Sequence, residues 1–439
     1  MTTNIFYNPE IETCSRAEIT KIQLEKLQKQ VAWTYEKVSW YRELMDKAGV
    51  KPTDIKSLED IRKLPFTDKN ALRETYPYGL FAVPLDDIVE IHASSGTTGK
   101  PIVVGYNRHD MDVWSECISR LAVMAGVTPS DRAQMGFGYG MFTGGFGLHY
   151  GLQRLGCMMI PAGSGNTNKQ IEMIQDYGTT VLIATPTYAM HICEVGEAMG
   201  YDWSKSTLRI GLFGGEPCSD GLKREIESRM HITCTDNYGL TEVMGPGVSG
   251  ECLSSRDMQH IAEDHFLWEV VNPETGEPVA DGEEGELVLT PLDKQGIPVL
   301  RYRTHDITRV TTDKCACGRT HARMQKIRHR TDDMLIIRGT NMFPSQISSV
   351  LQNIDGVTPH FRVVVDNETG LDRVRVTVEL KPEAFSDSFE EMRAFAKKIE
   401  SKIKAVTLVG VNVNLVGPGG IERAVGKTKY VEDKRKSLY

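Results

Sequence analysis

No stretch of the 439-residue chain approaches the ~18 uninterrupted apolar residues that a membrane span needs. The opening Met1–Tyr7 lacks the basic flank and apolar core of a secretory leader. Excess basic charge is missing too, since 51 Lys and Arg face 59 Asp and Glu for a net charge of -8. That balance argues against a general nucleic-acid or anionic-membrane binder and leaves small anionic ligands to be held by local geometry. Internal repeats and low-complexity tracts are absent. So is a paired-cysteine framework: nine cysteines is an odd number, and Cys117, Cys157, Cys193 and Cys234 sit singly in apolar segments, as reduced core thiols do in the cytoplasm.

What is present is enough apolar residue, 40 % of the chain, to build a large core over two or three domains. Ser15-Arg16-Ala17-Glu18 reads as a capping box. Leu24, Leu27, Val31 and Tyr35 follow at near-helical spacing, so residues 1–75 are expected to be mostly helical. From Glu90 the runs Arg132–Phe137, Cys157–Ala162, Thr180–Thr185, Leu208–Phe213 and Ile232–Thr235 alternate with helix-length segments. This is the pattern of βα units in a mainly parallel sheet, whose ligands bind beyond the carboxyl ends of the strands. The expected fold class is α/β: a large N-terminal domain over 1–331, with a βα core at about 90–250 and a β-rich subdomain at about 251–330, then a small C-terminal α+β domain over 332–439. The boundary is placed near Thr331-Asp332-Asp333.

The sharpest motif is Ser94-Ser95-Gly96-Thr97-Thr98-Gly99-Lys100-Pro101. Its hydroxyls and backbone N–H groups can surround phosphate oxygens while the lysine supplies charge. It is not a Walker A loop, because Ser94 replaces the first glycine and Pro101 follows the lysine; it is expected to join two strands. Three further segments accompany it: Asp236-Asn237-Tyr238-Gly239-Leu240-Thr241-Glu242 and Tyr302-Arg303-Thr304-His305-Asp306, each expected to follow a strand, and Gly426-Lys427-Thr428-Lys429. Tyr139–Gly147 is glycine-rich and aromatic, as suits a strand-to-helix turn that lets a flat ring approach backbone. Separately, Cys315-Ala316-Cys317-Gly318 puts two thiolates on one turn, which Cys252 and His260 could complete as a closed structural zinc site, with His265 a competing ligand.

These segments, in this order, resemble the adenylate-forming enzymes, the acyl-CoA synthetases, luciferases and peptide-synthetase adenylation domains. Through Tyr139–Gly145, Phe213-Gly214-Gly215-Glu216-Pro217 and Ile337–Pro344 the chain resembles the phenylacetate–CoA ligases within them. The resemblance implies that a carboxylic acid, ATP and CoA become acyl-CoA, AMP and pyrophosphate through an acyl-adenylate, as in phenylacetate catabolism. It assigns Ser94–Lys100 to the β and γ phosphates, Thr241 to the α-phosphate, Glu242 to Mg²⁺ and Asp306 to the ribose hydroxyls, with Arg330 a further ribose contact. Tyr238 is expected to stack on adenine beside Gly214–Pro217, and Asp236, Asn237 and Gly239 are counted among the nucleotide-binding residues. Tyr139, Phe142, Gly144 and Gly145 are assigned to the aryl-acid pocket. Lys427 is the adenylation lysine, with Lys429 the alternative, and Asp332 is the hinge about which the mobile C-terminal domain turns. The family also makes a homodimer an open option. Two departures stand out: His305 replaces the family's usual glycine, and the residues before Lys427 differ from its Pro- and Arg/Ser-containing run. Readings left open are a non-CoA acceptor and a non-catalytic nucleotide binder.

Overall fold

The computed structural model describes residues 6–93, 101–338, 340–367, 372–386, 388–423, 428 and 430–435. Contacts divide the chain into two units, Met1–Pro217 with Ile226–Lys326, and Cys218–Glu225 with Ile327–Tyr439. No helix among the described residues is long and apolar enough to cross a membrane.

The first unit opens with α1 (Pro9–Glu12), α2 (Arg16–Lys37), α3 (Ser39–Lys47) and α4 (Lys69–Glu74). A complete capping box starts α2: Glu18 N–H donates to Ser15 Oγ, and Ser15 N–H donates to Glu18 Oε2, satisfying donors the helix itself leaves open. The buried face of α2 is Ile19, Gln23, Leu27, Gln30, Val31 and Thr34, rotated from the apolar stripe expected from sequence; Leu24 and Tyr35 are only partly covered. The reason is polar. Gln23 Nε2 donates to the Glu263 carbonyl at 2.9 Å and Gln30 Nε2 to the Lys294 carbonyl at 2.6 Å, so two amides are buried with their partners.

The strands then run β1 (Glu90–Ala93), β2 (Val103–Tyr106), β3 (Arg132–Met135), β4 (Met158–Ile160), β5 (Val181–Ala184), β6 (Ile210–Gly214), β7 (Thr233–Leu240), β8 (Gly245–Cys252), β9 (Ser255–Ile261), β10 (Phe266–Val271), β11 (Gly285–Pro291), β12 (Tyr302–Thr308), β13 (Val310–Thr311) and β14 (Arg323–Gln325). Between them lie α5 (Arg108–Met124), α6 (Thr143–Leu155), α7 (Thr167–Asp176) and α8 (Pro186–Ala198). One nine-stranded sheet has the order β13-β14-β9-β8-β7-β6-β5-β3-β4. Its half from β7 to β4 is parallel and its half from β7 to β13 antiparallel. β10, β11 and β12 pair antiparallel in a second sheet, and β1 pairs antiparallel with β2. Within 251–330, β9, β13 and β14 extend the large sheet, while β10, β11 and β12 belong to the other. Asp236–Leu240 and Tyr302–Asp306 also lie within β7 and β12, where sequence reading put them after strands. Their polar side chains and N–H groups are satisfied by neighbouring strands: Asp236 N–H donates to Glu251 Oε2 at 2.8 Å and Thr304 Oγ1 to the Leu287 carbonyl at 2.8 Å.

Packing against this core, α5 buries Arg120, which donates to Asp264 at 2.6 and 3.0 Å and to Glu116 at 2.8 and 3.0 Å. Burial opposes charge on Asp264, but His265 and then Arg120 outweigh it and hold the carboxyl well below its usual range. A depressed carboxyl contributes stability that is complete above its unfolded value of about 4 and is lost progressively as pH falls from there toward the lower folded value. We expect Asp264→Asn to cost about 3 kcal/mol at neutral pH by leaving Arg120 underpaired. Its stability should also fall less than the parent's between about pH 5 and 3. Denaturant melts across that range check both, and an unchanged acid limb would locate the sensitivity elsewhere.

In the second unit a hairpin of Leu335–Ile337 with Thr340–Met342 and a helix over Pro344–Leu351 accompany a four-stranded sheet. Its order is Asn412–Val416, Arg373–Leu380, Val357–Asp366, Val431–Asp433, with the central pair antiparallel and both outer pairs parallel. Val363, Val365, Val376 and Val378 alternate inward from the central strands and meet Ile399 and Ile403 of the helix Phe389–Thr407, the period-two and near-four spacings that one shared core requires.

Candidate active site

At the carboxyl ends of the parallel strands, β6 finishes at Gly214 and β7 carries Asp236, Asn237, Tyr238 and Gly239. Asn237 Nδ2 donates to the Phe213 carbonyl at 2.5 Å, fixing the two strand ends side by side. Glu216 turns its carboxylate inward, where Oε1 accepts the Thr187 N–H at 2.9 Å and the Thr187 hydroxyl; this ties the Gly214–Pro217 loop to the start of α8. Tyr238 donates its hydroxyl to Asp306 Oδ2 at 2.5 Å, so the residues expected at adenine and ribose meet across β7 and β12.

Beyond Gly239 the chain turns tightly. A Cβ at Gly239 would lie 1.9 Å from the Gly245 carbonyl oxygen, so only glycine allows β7 and β8 to cross there. The tip of this turn presents Thr241 and Glu242. Thr241 Oγ1 is 3.0 Å from Thr143 Oγ1, the first residue of α6, which joins the turn expected at the α-phosphate to the turn expected at the acid.

That second turn, from β3 to α6, carries Tyr139, Phe142, Gly144 and Gly145. Tyr139 hydrogen-bonds His149 Nδ1 at 2.8 Å and packs edge-on to Phe146 with ring centroids 5.3 Å apart. Burial pushes the Tyr139 phenol up to about 12 and the His149 imidazole down, which favours a neutral hydrogen-bonded pair. Phe142 is exposed and 6.1 Å from Phe137. Gly144 and Gly145 are buried in the first turn of α6; a Cβ on Gly145 would approach the Gly138 carbonyl oxygen to 2.7 Å.

Cys252, His260, Cys315 and Cys317 bring one ligand atom each to within 4.8 Å of the others. Cys252 Sγ and Cys315 Sγ are 3.7 Å apart, and Cys317 Sγ is 3.4 Å from His260 Nε2. Tetrahedral coordination at ordinary zinc bond lengths spaces two sulfurs by ~3.8 Å and sulfur from nitrogen by ~3.6 Å, so the spacing fits. His260 Nδ1 lies 3.3 Å from the His321 carbonyl, the outer contact that orients a ligating imidazole. His265 is elsewhere, its Nε2 3.3 Å from both Glu116 and Asp264.

Arg330 and Asp332 belong to the second unit, where the guanidinium pairs with the carboxylate at 2.8 and 2.9 Å. Ser94, Ser95, Gly96, Thr97, Thr98, Gly99, Lys100, Lys427 and Lys429 lie outside the described residues. Just before the last two, Arg423 grips the buried Glu379 carboxylate at 2.7 and 2.8 Å.

Two features escaped the sequence reading. Lys69 Nζ stands 3.8 Å from Glu242 Oε1, at the first position of α4 after its cap Asp68. Glu90 accepts from His92 Nε2 and the Tyr150 hydroxyl, both at 2.6 Å, beneath Phe146, whose ring is 5.4 Å from that of His92. Burial disfavours the Glu90 charge, but those two bonds outweigh it and lower its pKa. The i, i+2 spacing of Glu90 and His92 on one strand was the available signal.

Having histidine where the resemblance expects glycine has a local cost on β12. His305 has φ +63°, in the left-handed region where a side chain costs about 1 kcal/mol. Its N–H donates to Glu286 at 3.1 Å and its ring Nδ1 sits 3.5 Å from the same carboxylate, so it packs on β11.

The chain carries the fold of an adenylate-forming enzyme, and it belongs to the AMP-binding enzyme family: that family's model matches residues 9–290, and the model of the AMP-binding enzyme C-terminal domain matches 339–435. Within the family it belongs with the phenylacetate–coenzyme A ligases. It is 44 % identical to that enzyme of Escherichia coli over 99 % of both chains, and 43 % identical to that of Thermus thermophilus, covering 98 % of this chain and 100 % of the relative. Among solved structures, 2-hydroxyisobutyryl-CoA ligase in the postadenylation state is 27 % identical with TM-score 0.91, over 98 % of this chain and 93 % of that one.

For His305→Gly we expect a gain of about 0.5–1 kcal/mol, since the N–H to Glu286 survives and the left-handed strain goes. Thermal melts with and without nucleotide read it; destabilisation would mean that the imidazole–Glu286 contact outweighs the strain.

Proposed function

We propose that this enzyme activates a flat aromatic carboxylic acid, of phenylacetate type, as its acyl-adenylate and transfers the acyl group to CoA. The chain is an AMP-forming acid–CoA ligase by its kinship with the phenylacetate–coenzyme A ligases; the acid is the part proposed. The observation that carries it is the Thr143–Thr241 hydrogen bond. An acid seated against the Tyr139–Gly145 turn then has its carboxylate next to the residue assigned to the α-phosphate. Adenylation needs that contact, because a carboxylate attacks phosphorus only when held in line and close.

In this reading Glu242 holds Mg²⁺, which offsets charge on the phosphates. Lys69 lends a cation beside it, Ser94–Lys100 enclose the β and γ phosphates, and Asp306, an acceptor-only carboxylate, takes the ribose hydroxyls. Lys427 serves adenylation and withdraws when the second unit turns about Asp332, freeing the adenylate for the thiol. Pyrophosphate release from a panel of aryl and fatty acids, with and without CoA, tests the assignment. Arylacetates should lead in kcat/KM and yield CoA thioesters; palmitate turning over fastest would overturn it. Lys427→Ala should abolish adenylate formation while sparing thioester formation from supplied acyl-adenylate, whereas equal losses in both halves would remove the alternating reading.

Cys252, His260, Cys315 and Cys317 are proposed to hold one structural zinc, because four ligands leave no open position for chemistry. Of the coupled thiols, Cys317 is the one held low, first by its hydrogen bond from Cys252 and then by His260, as suits a thiolate ligand. Elemental analysis should find close to one zinc per chain, and Cys315→Ser should lower Tm with little change in KM for ATP. Metal-free protein of normal stability would refute this.

A further inference from the structure

Lys294 is fully buried in the connection between β11 and β12, and nothing in the reaction outlined above uses it. A buried ammonium normally faces a carboxylate, or else its stem runs outward and the charge reaches water. Here the second solution is not used, since the whole side chain is buried and its backbone is held in place. The Lys294 carbonyl accepts from Gln30, and the next two N–H groups, of Gln295 and Gly296, donate to Asp110 at 2.7 and 2.8 Å. The first solution is not used either. Nζ lies 3.5 Å from the centre of the Tyr106 ring and 3.9 Å from Met244 Sδ. Burial pulls the ammonium down to about 8, with Asp110 opposing at longer range.

Both contacts lead to one place. The Tyr106 hydroxyl donates to the Met244 carbonyl at 2.7 Å. Trp114 stacks on Tyr106 at 4.8 Å and donates Nε1–H to the Pro246 carbonyl at 2.9 Å. Lysine, tyrosine and tryptophan thus grip Met244–Pro246, the base of the turn whose tip presents Thr241 and Glu242. A cation over a phenol ring draws electron density from its oxygen and strengthens the O–H donor, so the two tethers on Met244 reinforce one another.

We propose that Lys294 is a positioning residue for adenylation: through Tyr106 and Met244 it fixes the turn on which Thr241 and Glu242 meet the nucleotide. This rests on the assignment of Glu242 to Mg²⁺ made above. The test compares Lys294→Met, which keeps the buried stem and removes the charge, with Tyr106→Phe, which keeps the ring and removes the hydroxyl. Glu242→Gln serves as the reference. Calorimetric Kd for MgATP, the Mg²⁺ concentration at half-maximal pyrophosphate release, and KM for CoA with supplied acyl-adenylate are measured in each. Lys294→Met should weaken MgATP binding and raise the Mg²⁺ requirement about tenfold, Tyr106→Phe should do the same by a smaller factor, and KM for CoA should stay within about twofold. If Glu242→Gln leaves the Mg²⁺ requirement unchanged, the metal assignment fails and takes the inference with it. If Glu242→Gln shifts it and a folded Lys294→Met does not, the inference alone fails. Should Lys294→Met not fold, Tyr106→Phe decides by the same criterion.

Discussion

The carboxylate of Asp110 is the joint on which the first unit is assembled. It closes the capping box that starts α5, and it accepts from Gln295 and Gly296 in the connection between β11 and β12. Three backbone donors share two buried oxygens, so the group is satisfied as an acceptor and cannot turn away without stranding them. One side chain thereby registers the antiparallel sheet bearing Asp306 against the large sheet bearing Tyr238. Gly296 is a direct consequence: a Cβ there would come within 2.7 Å of both Asp110 Oδ2 and the Gly105 carbonyl oxygen.

Charge in this unit is arranged in closed local accounts, which is how a chain of net charge -8 can serve an anionic ligand. Arg16 pairs with Glu263, Arg120 with Asp264, Arg301 with Glu269, Arg303 with Glu286 and Arg319 with Glu12. Pairs of this kind cancel at short range and contribute little field at the strand ends. Lys69 differs, since its partner Glu242 is itself expected to turn toward a metal, and Lys294 differs because its contacts are a ring and a sulfur. Lys69, 3.8 Å from Glu242, and Lys294, over the Tyr106 ring, thus place two ammonium groups beside the turn of Thr241 and Glu242.

What could be read from the sequence was chemistry with few solutions. Binding phosphate restricts residue types strongly, so Thr241-Glu242 and Ser94–Lys100 stand out as candidates without any structure. The strands beneath were harder to read, because Asp236-Asn237-Tyr238 and Thr304-His305-Asp306 look like loop residues until the neighbouring strand's acceptors and donors are supplied. The buried face of α2 could not be read for the same reason, since Gln23 and Gln30 count as polar in any periodicity argument yet bind buried carbonyls. Spacing could not choose between His260 and His265. Their directions differ: His260 is on β9, paired across the sheet with Gly250, while His265 closes the turn before β10 and meets Glu116. Lys69 and Lys294 were invisible in principle, for a lysine is ordinary on any surface and only its neighbours make it otherwise.

The turn that holds Cys315 and Cys317 also clasps the start of the chain. Arg319 donates to Glu12 at 2.6 Å, Thr320 Oγ1 to the Cys14 carbonyl at 2.6 Å, and His321 Nε2 lies 3.1 Å from the Ile11 carbonyl, while Arg319 lies over the Phe6 ring at 4.8 Å. The first and last segments of the unit are therefore latched together, and the polypeptide between them is held as a closed loop more than 300 residues round. Trimming that leading segment as if it were a dispensable extension would leave a guanidinium that is only 4 % exposed without its Glu12 counter-ion, two residues from Cys317.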